Sequence, residues 1–159
     1  MPAQNVTITG SFSSVGDTEY TVEYYLENLS GDRYVLNKEL TYTGLAYRES
    51  LVIANIHDIE GFTYYPTYHE NVARANIEAD GSTVLKLYYS RNSYTVEYRY
   101  DGTVPKGAPE AIGVVSYRYG QVILPKQDPE LAGVEFSGWS RSSSFPMPAR
   151  NIIISGTWC

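Results

Sequence analysis

The sequence has a single cysteine, Cys159, and only two histidines among its 159 residues. One cysteine cannot form an internal disulfide, and it excludes a CxxC-type zinc or redox motif. The two histidines, His57 and His69, lie in no metal-ligand or nucleophile–base spacing. We therefore expect no catalytic residues, no metal site and no cofactor, and we expect that the protein is not an enzyme.

Basic residues are also few, since 12 lysines and arginines stand against 18 acidic residues, for a formal net charge of −6. Binding of nucleic acid depends on basic groups that neutralise phosphates, so we expect no nucleic-acid partner. Long apolar runs are missing as well, and no stretch reaches the length needed to cross a bilayer. We therefore expect no membrane insertion by these residues.

The sequence does contain repeats. Residues 1–12 read MPAQNVTITGSF and residues 147–158 read MPARNIIISGTW, with six identical positions, while YTVEY occurs at 20–24 and again at 94–98. Internal repeats at a fixed spacing are typical of tandem arrays. We predict that 1–12 is the closing strand of a preceding repeat, that 13–91 form one module, and that 92–159 form a second.

Most of both modules shows the alternation of apolar and polar residues that is typical of half-buried strands. The two YTVEY stretches show it most clearly, and Val134–Trp139 predicts a further strand in the second module. Residues 104–113 and 140–146, rich in Pro, Gly, Ala or Ser, predict loops.

One segment has a helical spacing instead. Val52, Ile56 and Ile59 fall at i, i+4 and i+7, which places them on one stripe of a helix, and Ser50 is a suitable N-cap. One amphipathic helix can cover one face of a small sheet. We therefore predict an α+β fold of two small tandem β-grasp-like modules, strand-rich, with one short helix in the first.

Four motifs of the second module carry a family resemblance. They are YTVEY at 94–98, Tyr119-Gly120 before the run VILP at 122–125, VEFSGW at 134–139, and MPARNIII at 147–154. With these motifs, residues 92–159 resemble the Listeria–Bacteroides repeat, the internalin B-repeat type of β-grasp module. The shorter Ser140–Pro146 loop departs from that family.

Three motifs of the first module carry another resemblance: YTVEYY at 20–25, Gly61-Phe62, and DGSTVLKLYY at 80–89. With them, residues 13–91 resemble the MucBP-like (mucin-binding-protein-like) repeats of Gram-positive surface proteins. The two resemblances together imply a secreted, extracellular adhesin on the bacterial cell surface, attached to the cell wall through regions outside these residues.

Tyrosines on the solvent side of the first module are the candidate ligand-binding residues. Strand alternation places Tyr25, Tyr65 and Tyr88 on the face opposite Tyr24 and Leu85. Tyrosine rings on such a face can stack on sugars and donate hydrogen bonds. The implied partners are host mucin, glycan or extracellular matrix protein, together with neighbouring repeats of the same chain.

An alternative function remains open at this point. Tandem modules with short linkers also serve as a non-binding stalk or spacer that extends a distal binding head. In that case the exposed tyrosines would only stabilise their own sheet through cross-strand pairs. The scarcity of convergent polar residues favours the stalk, whereas the solvent-side tyrosines favour adhesion.

Overall fold

The structure is a computed structural model that describes residues 16–159. The predicted closing strand at 1–12 therefore lies outside the described residues. The described chain forms two units. The first comprises 16–27, 32–57 and 64–90, and the second comprises 28–31, 58–63 and 91–159.

Strands are the regular secondary structure throughout the described chain. In order they are β1 (Thr18–Glu27), β2 (Tyr34–Ala46), β3 (Leu51–Ile53), β4 (Phe62–Tyr64), β5 (Arg74–Asn76), β6 (Thr83–Arg91), β7 (Ser93–Asp101), β8 (Gly113–Arg118), β9 (Val122–Ile123), β10 (Phe145–Pro146) and β11 (Ile152–Thr157).

The first unit is built around the neighbouring strands β2, β1 and β6, in that order, and a small sheet of β3 and β5. Strand β1 pairs antiparallel with β2 and parallel with β6. Val22 and Tyr24 of β1 lie beside Leu85 and Leu87 of β6, and all four side chains are fully buried. This row of apolar side chains fixes which face of the sheet is the core.

The second unit repeats this arrangement on a smaller scale. Its three-stranded sheet has the order β11-β7-β8, with β7 antiparallel to β8 and parallel to β11. Val96 and Tyr98 of β7 lie beside Ile152 and Ile154 of β11, and these side chains are buried with Trp139 in one core. Strands β9 and β10 form a separate two-stranded sheet.

The two YTVEY stretches therefore occupy equivalent places. Each forms a central strand that pairs antiparallel with the next strand in sequence and parallel with the last strand of its sheet. The buried positions also correspond, because Val22 and Tyr24 match Val96 and Tyr98. The repeat in the sequence thus reflects a repeated pairing pattern and a repeated core.

The predicted helix after Ser50 is wrong, and with it the α+β class, because residues 16–159 contain no helix. Leu51–Ile53 form strand β3, paired antiparallel with β5. The main-chain N–H of Ala54 continues this ladder by donating to the Ala73 carbonyl at 2.8 Å. The Ser50 carbonyl, which a helix beginning there would offer to the Ala54 N–H, instead accepts the Ile77 N–H at 2.9 Å. β-branched Val52 and Ile53 favour the extended form.

The strand predicted for Val134–Trp139 is also absent as a continuous strand. Only single bridges form there, one joining Val134 to Leu131 and one joining Phe136 to Trp158. Gly133 and Gly138 bound the segment with φ values of 81° and 92°, which lie in the left-handed region and interrupt an extended ladder.

Candidate functional site

Five tyrosines form a connected group on the first unit, here called the tyrosine cluster. Its members are Tyr25, Tyr34, Tyr65, Tyr68 and Tyr88. Alternation along β1 and β6 places Tyr25 and Tyr88 on the sheet face opposite the buried core row. They are directly paired in the ladder, and their rings stack with centroids 4.8 Å apart and planes within 10°.

Tyr68 lies at the centre of the cluster. Its ring centroid is 4.7 Å from that of Tyr34, 5.6 Å from that of Tyr65 and 4.5 Å from that of Tyr88. Tyr34 also meets Tyr88 edge to face at 5.3 Å. These distances and angles are those that aromatic pairs prefer, so the rings hold one another in place.

The sequence of the loop after β4 explains how the loop positions the rings of Tyr65 and Tyr68. The Tyr65 N–H donates to the Tyr88 carbonyl at 2.7 Å, which fixes the start of the loop on β6. The Tyr68 N–H then donates to the Tyr65 carbonyl at 3.2 Å, closing a turn with Pro66 at its second position. Proline is favoured at this turn position because its φ is already fixed near the required value.

Asn71 anchors the end of the same loop. Its side-chain oxygen accepts the Tyr88 N–H at 2.9 Å, and its side-chain amide donates to the Tyr64 hydroxyl at 2.8 Å. Its own N–H donates to the Tyr68 carbonyl at 2.9 Å. One side chain thus joins the loop to the strand beneath the cluster, which makes the position of Tyr68 well determined.

Carboxylates surround the cluster. The Tyr25 hydroxyl donates to Glu23 at 2.7 Å, and the Tyr88 hydroxyl lies 3.5 Å from a Glu70 oxygen. Glu70 is also 3.4 Å from the imidazole of His69. The edge of the cluster is therefore acidic.

These surroundings raise the pKa values of three of the cluster tyrosines. Burial, followed by the hydrogen bond to Glu23 and the Glu23 and Glu70 charges, raises the pKa of Tyr25 to about 12. Burial and then the Glu27 charge raise the pKa of Tyr34. Burial and then the Glu70 charge raise the pKa of Tyr88. The hydroxyls of these three tyrosines are thus neutral donors and acceptors at physiological pH.

Of the three candidates taken from the sequence, Tyr25 and Tyr88 are in direct contact and Tyr65 joins them through Tyr68. Tyr88 is only 4% exposed, so it supports the cluster from below and does not face solvent. Tyr65 is 39% exposed and offers the most open ring of the three.

Sequence reasoning missed Tyr34 and Tyr68. Tyr34 is placed by its pairing with Glu27 across β1 and β2, a register that alternation alone does not give. Tyr68 follows a Tyr-Pro turn, and that turn was the signal that could have placed it beside Tyr65.

His57 lies outside the tyrosine cluster and contacts other residues of the first unit. The Tyr24 ring lies 5.0 Å from the imidazole of His57, and the His57 main-chain N–H donates to the Tyr89 hydroxyl at 3.0 Å. Within residues 16–159 no group of three or more His, Cys, Asp or Glu side chains is arranged to hold a metal ion. The same residues include no helix with the length and apolarity to span a membrane.

The raised tyrosine pKa values give an expected loss of stability in alkali. Tyrosines of the unfolded chain titrate near the ordinary value of 10.0. Burial first, then the neighbouring tyrosines for Tyr24 and Glu23 for Tyr25, raises the pKa of each to about 12. Their contribution to stability is therefore complete below pH 10 and is lost as the pH rises through about 12. Urea unfolding between pH 8 and pH 12, followed beside tyrosinate absorbance, measures this.

A matched variant identifies the residue responsible. Glu23→Gln removes a charge and a charged acceptor, so the pKa of Tyr25 is expected to fall toward its ordinary value. An unchanged titration in this variant would show that Glu23 does not act on Tyr25 in solution.

The solved structures that are similar to this chain include the following two. One is "Streptococcal High Identity Repeats in Tandem (SHIRT) domains 3-4 from cell surface protein", at 12% identity over 89% of this chain and 97% of that chain, with a TM-score of 0.31. The other is Mub-RV, at 8% identity over 89% of this chain and 98% of that chain, with a TM-score of 0.30. These TM-scores are too low to support an argument about fold or function.

No protein-family model matches the sequence, and no curated protein matches it. The assignment of 13–91 and 92–159 to particular repeat families therefore stays a prediction from the motifs.

Proposed function

We propose that the tyrosine cluster binds neutral sugar rings, and that this chain is an extracellular repeat unit of a bacterial cell-wall-attached adhesin whose partner is host mucin, glycan or matrix protein. The observation that carries the proposal is the connected group of five tyrosine rings on one face of the first unit's sheet.

The chemistry of the cluster suits a saccharide. The C–H groups of a sugar pack on an aromatic face, and the phenol hydroxyl exchanges hydrogen bonds with sugar hydroxyls. Tyr65 supplies an open ring, while Tyr88 and Asn71 hold the neighbouring rings in place. A surface held this rigidly loses little conformational entropy when a ligand binds.

Charge restricts the kind of sugar. Glu23, Glu27 and Glu70 all act on cluster tyrosines. A sialylated or sulfated sugar would bring another negative charge to this acidic edge, which is unfavourable. We therefore propose neutral hexose or N-acetylhexosamine residues as the contacted sugars.

A stalk is the second candidate function, and one observation favours it. The Tyr25 ring stacks fully on Tyr88, and the Tyr25 hydroxyl is already satisfied by Glu23. A tyrosine whose ring and hydroxyl already have partners within the protein can have the sole role of stabilising the sheet. In that case the chain would act as a spacer, and its neighbouring repeats would be its only partners.

Tyr65→Ala tests the proposal, because it removes the open ring without cutting a main-chain hydrogen bond. We expect binding to immobilised mucin or to a neutral glycan to weaken at least about tenfold, with circular dichroism and thermal midpoint close to those of the parent. Tyr47→Ala is the matched control, since Tyr47 is 48% exposed and lies outside the tyrosine cluster. Equal binding by both variants would contradict a role for the cluster in recognition.

A further inference from the structure

We propose that strand β8 pairs antiparallel with strand β8 of a second copy of this chain, which joins the sheets of two second units into one continuous sheet. The free outer edge of β8 and the fit of that edge to itself carry this inference. It does not depend on the sugar-binding proposal.

Strand β8 (Gly113–Arg118) lies at one edge of the second unit's sheet, with β7 as its neighbour on the inner side. The Tyr119 N–H donates to the Asn92 carbonyl at 2.9 Å, and this bond sets the phase of the β7–β8 ladder. Along an antiparallel ladder, hydrogen-bonded pairs alternate with non-bonded pairs, so every second residue of β8 directs its N–H and C=O groups toward the outer edge. These outward residues are Val114, Ser116 and Arg118.

The open part of this edge is short. The Arg118 N–H donates to the Gln121 side-chain oxygen at 3.0 Å, and the Gln121 N–H donates to the Arg118 carbonyl at 3.0 Å. At the other end Gly113 has a φ of 87°, so the extended edge begins only after it. Within residues 16–159, the outward main-chain groups of Val114 and Ser116 have no hydrogen-bond partner. The open edge therefore offers the donor and the acceptor of these two residues.

These two residues match a second copy in one antiparallel register. With a two-fold axis through Val115, the Val114 of each copy lies opposite the Ser116 of the other. Opposite residues of this kind exchange both of their main-chain hydrogen bonds, so all the outward groups of Val114 and Ser116 are satisfied. A shift of two residues would place Val114 opposite Arg118, whose groups are already bonded to Gln121.

The side chains fit the same register. Val115 meets Val115 of the second copy, and Gly113 lies opposite Tyr117. A Cβ atom at Gly113 would meet no described atom within 4 Å, which leaves room for the Tyr117 ring of the second copy, and an aromatic ring opposite an edge glycine stabilises a sheet. On the other face Val114, which is 64% exposed, lies beside the small side chain of Ser116. Pairing therefore buries apolar surface that a single copy exposes.

Strand β8 also lacks the features that keep exposed edge strands from pairing. The stretch Gly113–Tyr117 contains no proline and no charged residue. Residues 92–159 hold six acidic and six basic residues, so two second units approach one another without net electrostatic repulsion.

The edges of the other two outer strands are less suited to pairing. Strand β2 is interrupted where the Asn37 side-chain oxygen accepts the Leu40 N–H at 3.1 Å, and Lys38 is exposed beside this interruption. An irregular ladder and an exposed charge both discourage pairing. The outer edge of β11 is occupied, since the Ser140 N–H donates to the Ser155 carbonyl at 2.7 Å.

Sedimentation equilibrium of the unmodified chain tests the pairing. A reductant keeps exposed Cys159 a free thiol, so that a disulfide cannot produce the dimer. Because one strand edge is a small interface, the association is weak, and the concentration series extends to about 1 mM. We expect a reversible equilibrium between a 17.8 kDa monomer and a dimer of twice that mass. A monomer at every concentration would overturn the proposal.

Matched variants locate the interface. Ser116→Pro removes an outward N–H, and proline is tolerated at such an edge position. Val114→Lys adds a charge to the edge. We expect each variant to weaken dimerisation at least about tenfold, with a thermal midpoint close to that of the parent. Val114→Lys suffices for the test if Ser116→Pro does not fold.

Ile153→Lys is the control for these variants. Ile153 is 48% exposed and lies on the same sheet face as Val114, but on β11. We expect it to dimerise like the parent. If Ile153→Lys weakens the dimer as much as Val114→Lys, or if neither Val114→Lys nor Ser116→Pro weakens it, edge pairing is overturned.

A cysteine crosslink tests the register. In a Cys159→Ser chain, Val115→Cys is expected to form a covalent dimer under mild oxidation, because opposite non-hydrogen-bonded residues have Cα atoms about 4.5 Å apart, within reach of a disulfide. Ser116→Cys is the matched control, since Ser116 faces Val114 and lies too far from its own copy to be linked. Crosslinking of Ser116→Cys as fast as that of Val115→Cys would overturn the proposed pairing.

Discussion

Tyr24→Ala is expected to lower the free energy of unfolding of the first unit by about 3–5 kcal/mol, as large-to-small changes at fully buried aromatic positions do. Tyr24 has no exposed surface, and its hydroxyl donates to the Asn55 carbonyl at 2.7 Å. Its ring also packs at 6.3 Å from Tyr89. The substitution leaves a cavity and removes the hydroxyl that donates to the Asn55 carbonyl.

Tyr98→Ala is the equivalent change in the second unit and is expected to have an effect of the same size, about 3–5 kcal/mol. Tyr98 is 1% exposed and meets Trp139 edge to face at 5.4 Å. Its hydroxyl accepts the Lys126 N–H at 3.2 Å. The two repeated tyrosines thus have the same structural role with different hydrogen-bond partners.

Phenylalanine variants at the same two positions provide the control. They keep the ring and remove only the hydroxyl, so each is expected to cost about 1 kcal/mol. Urea unfolding followed by circular dichroism measures all four variants. If the alanine variants cost no more than the phenylalanine variants, the repeated tyrosines are not the centres of their cores.

Gly156→Val is the second change with a large expected effect, about 1–3 kcal/mol or more of destabilisation from overpacking. The new Cβ would lie 2.3 Å from the Phe136 ring and 3.0 Å from the Gly138 carbonyl oxygen, which belongs to the backbone and cannot rotate away. The surrounding Trp139 and Trp158 rings block relaxation of Phe136.

Thr157→Val is the matched control for this glycine. Thr157 is the next residue on the same strand and is exposed, so adding the same side chain there is expected to change stability by less than about 0.5 kcal/mol. A similar thermal midpoint for the two valine variants would show that β11 does not approach Phe136 as closely as described.

The strands could be predicted where alternation was strong. YTVEY marks both central strands because its apolar residues recur at every second position. The side chains at these positions are only 0–1% exposed, at Val22, Tyr24, Val96 and Tyr98. The helix predicted after Ser50 was wrong, because Val52, Ile56 and Ile59 fit a helical stripe by their spacing alone. Pairing of β3 with β5, which is distant in sequence, decides the conformation there.

The candidate site, too, could be predicted only in part from the sequence. Alternation alone places Tyr25 and Tyr88 on one face, since both lie on long regular strands. Tyr34 needs the β1–β2 register, and that register contains a bulge between Val22 and Tyr24. Tyr68 depends on a turn held by Asn71, a contact that no periodicity expresses.

The central claim is that the tyrosine cluster recognises neutral sugars. The most direct test is to measure binding of the unmodified chain to mucin before and after enzymatic removal of sialic acid and sulfate. Removing the charged sugars should strengthen or preserve saturable binding, because Glu23, Glu27 and Glu70 surround the cluster. Loss of binding after this treatment, or no saturable binding to either mucin, would contradict the claim. The second result would instead favour the spacer.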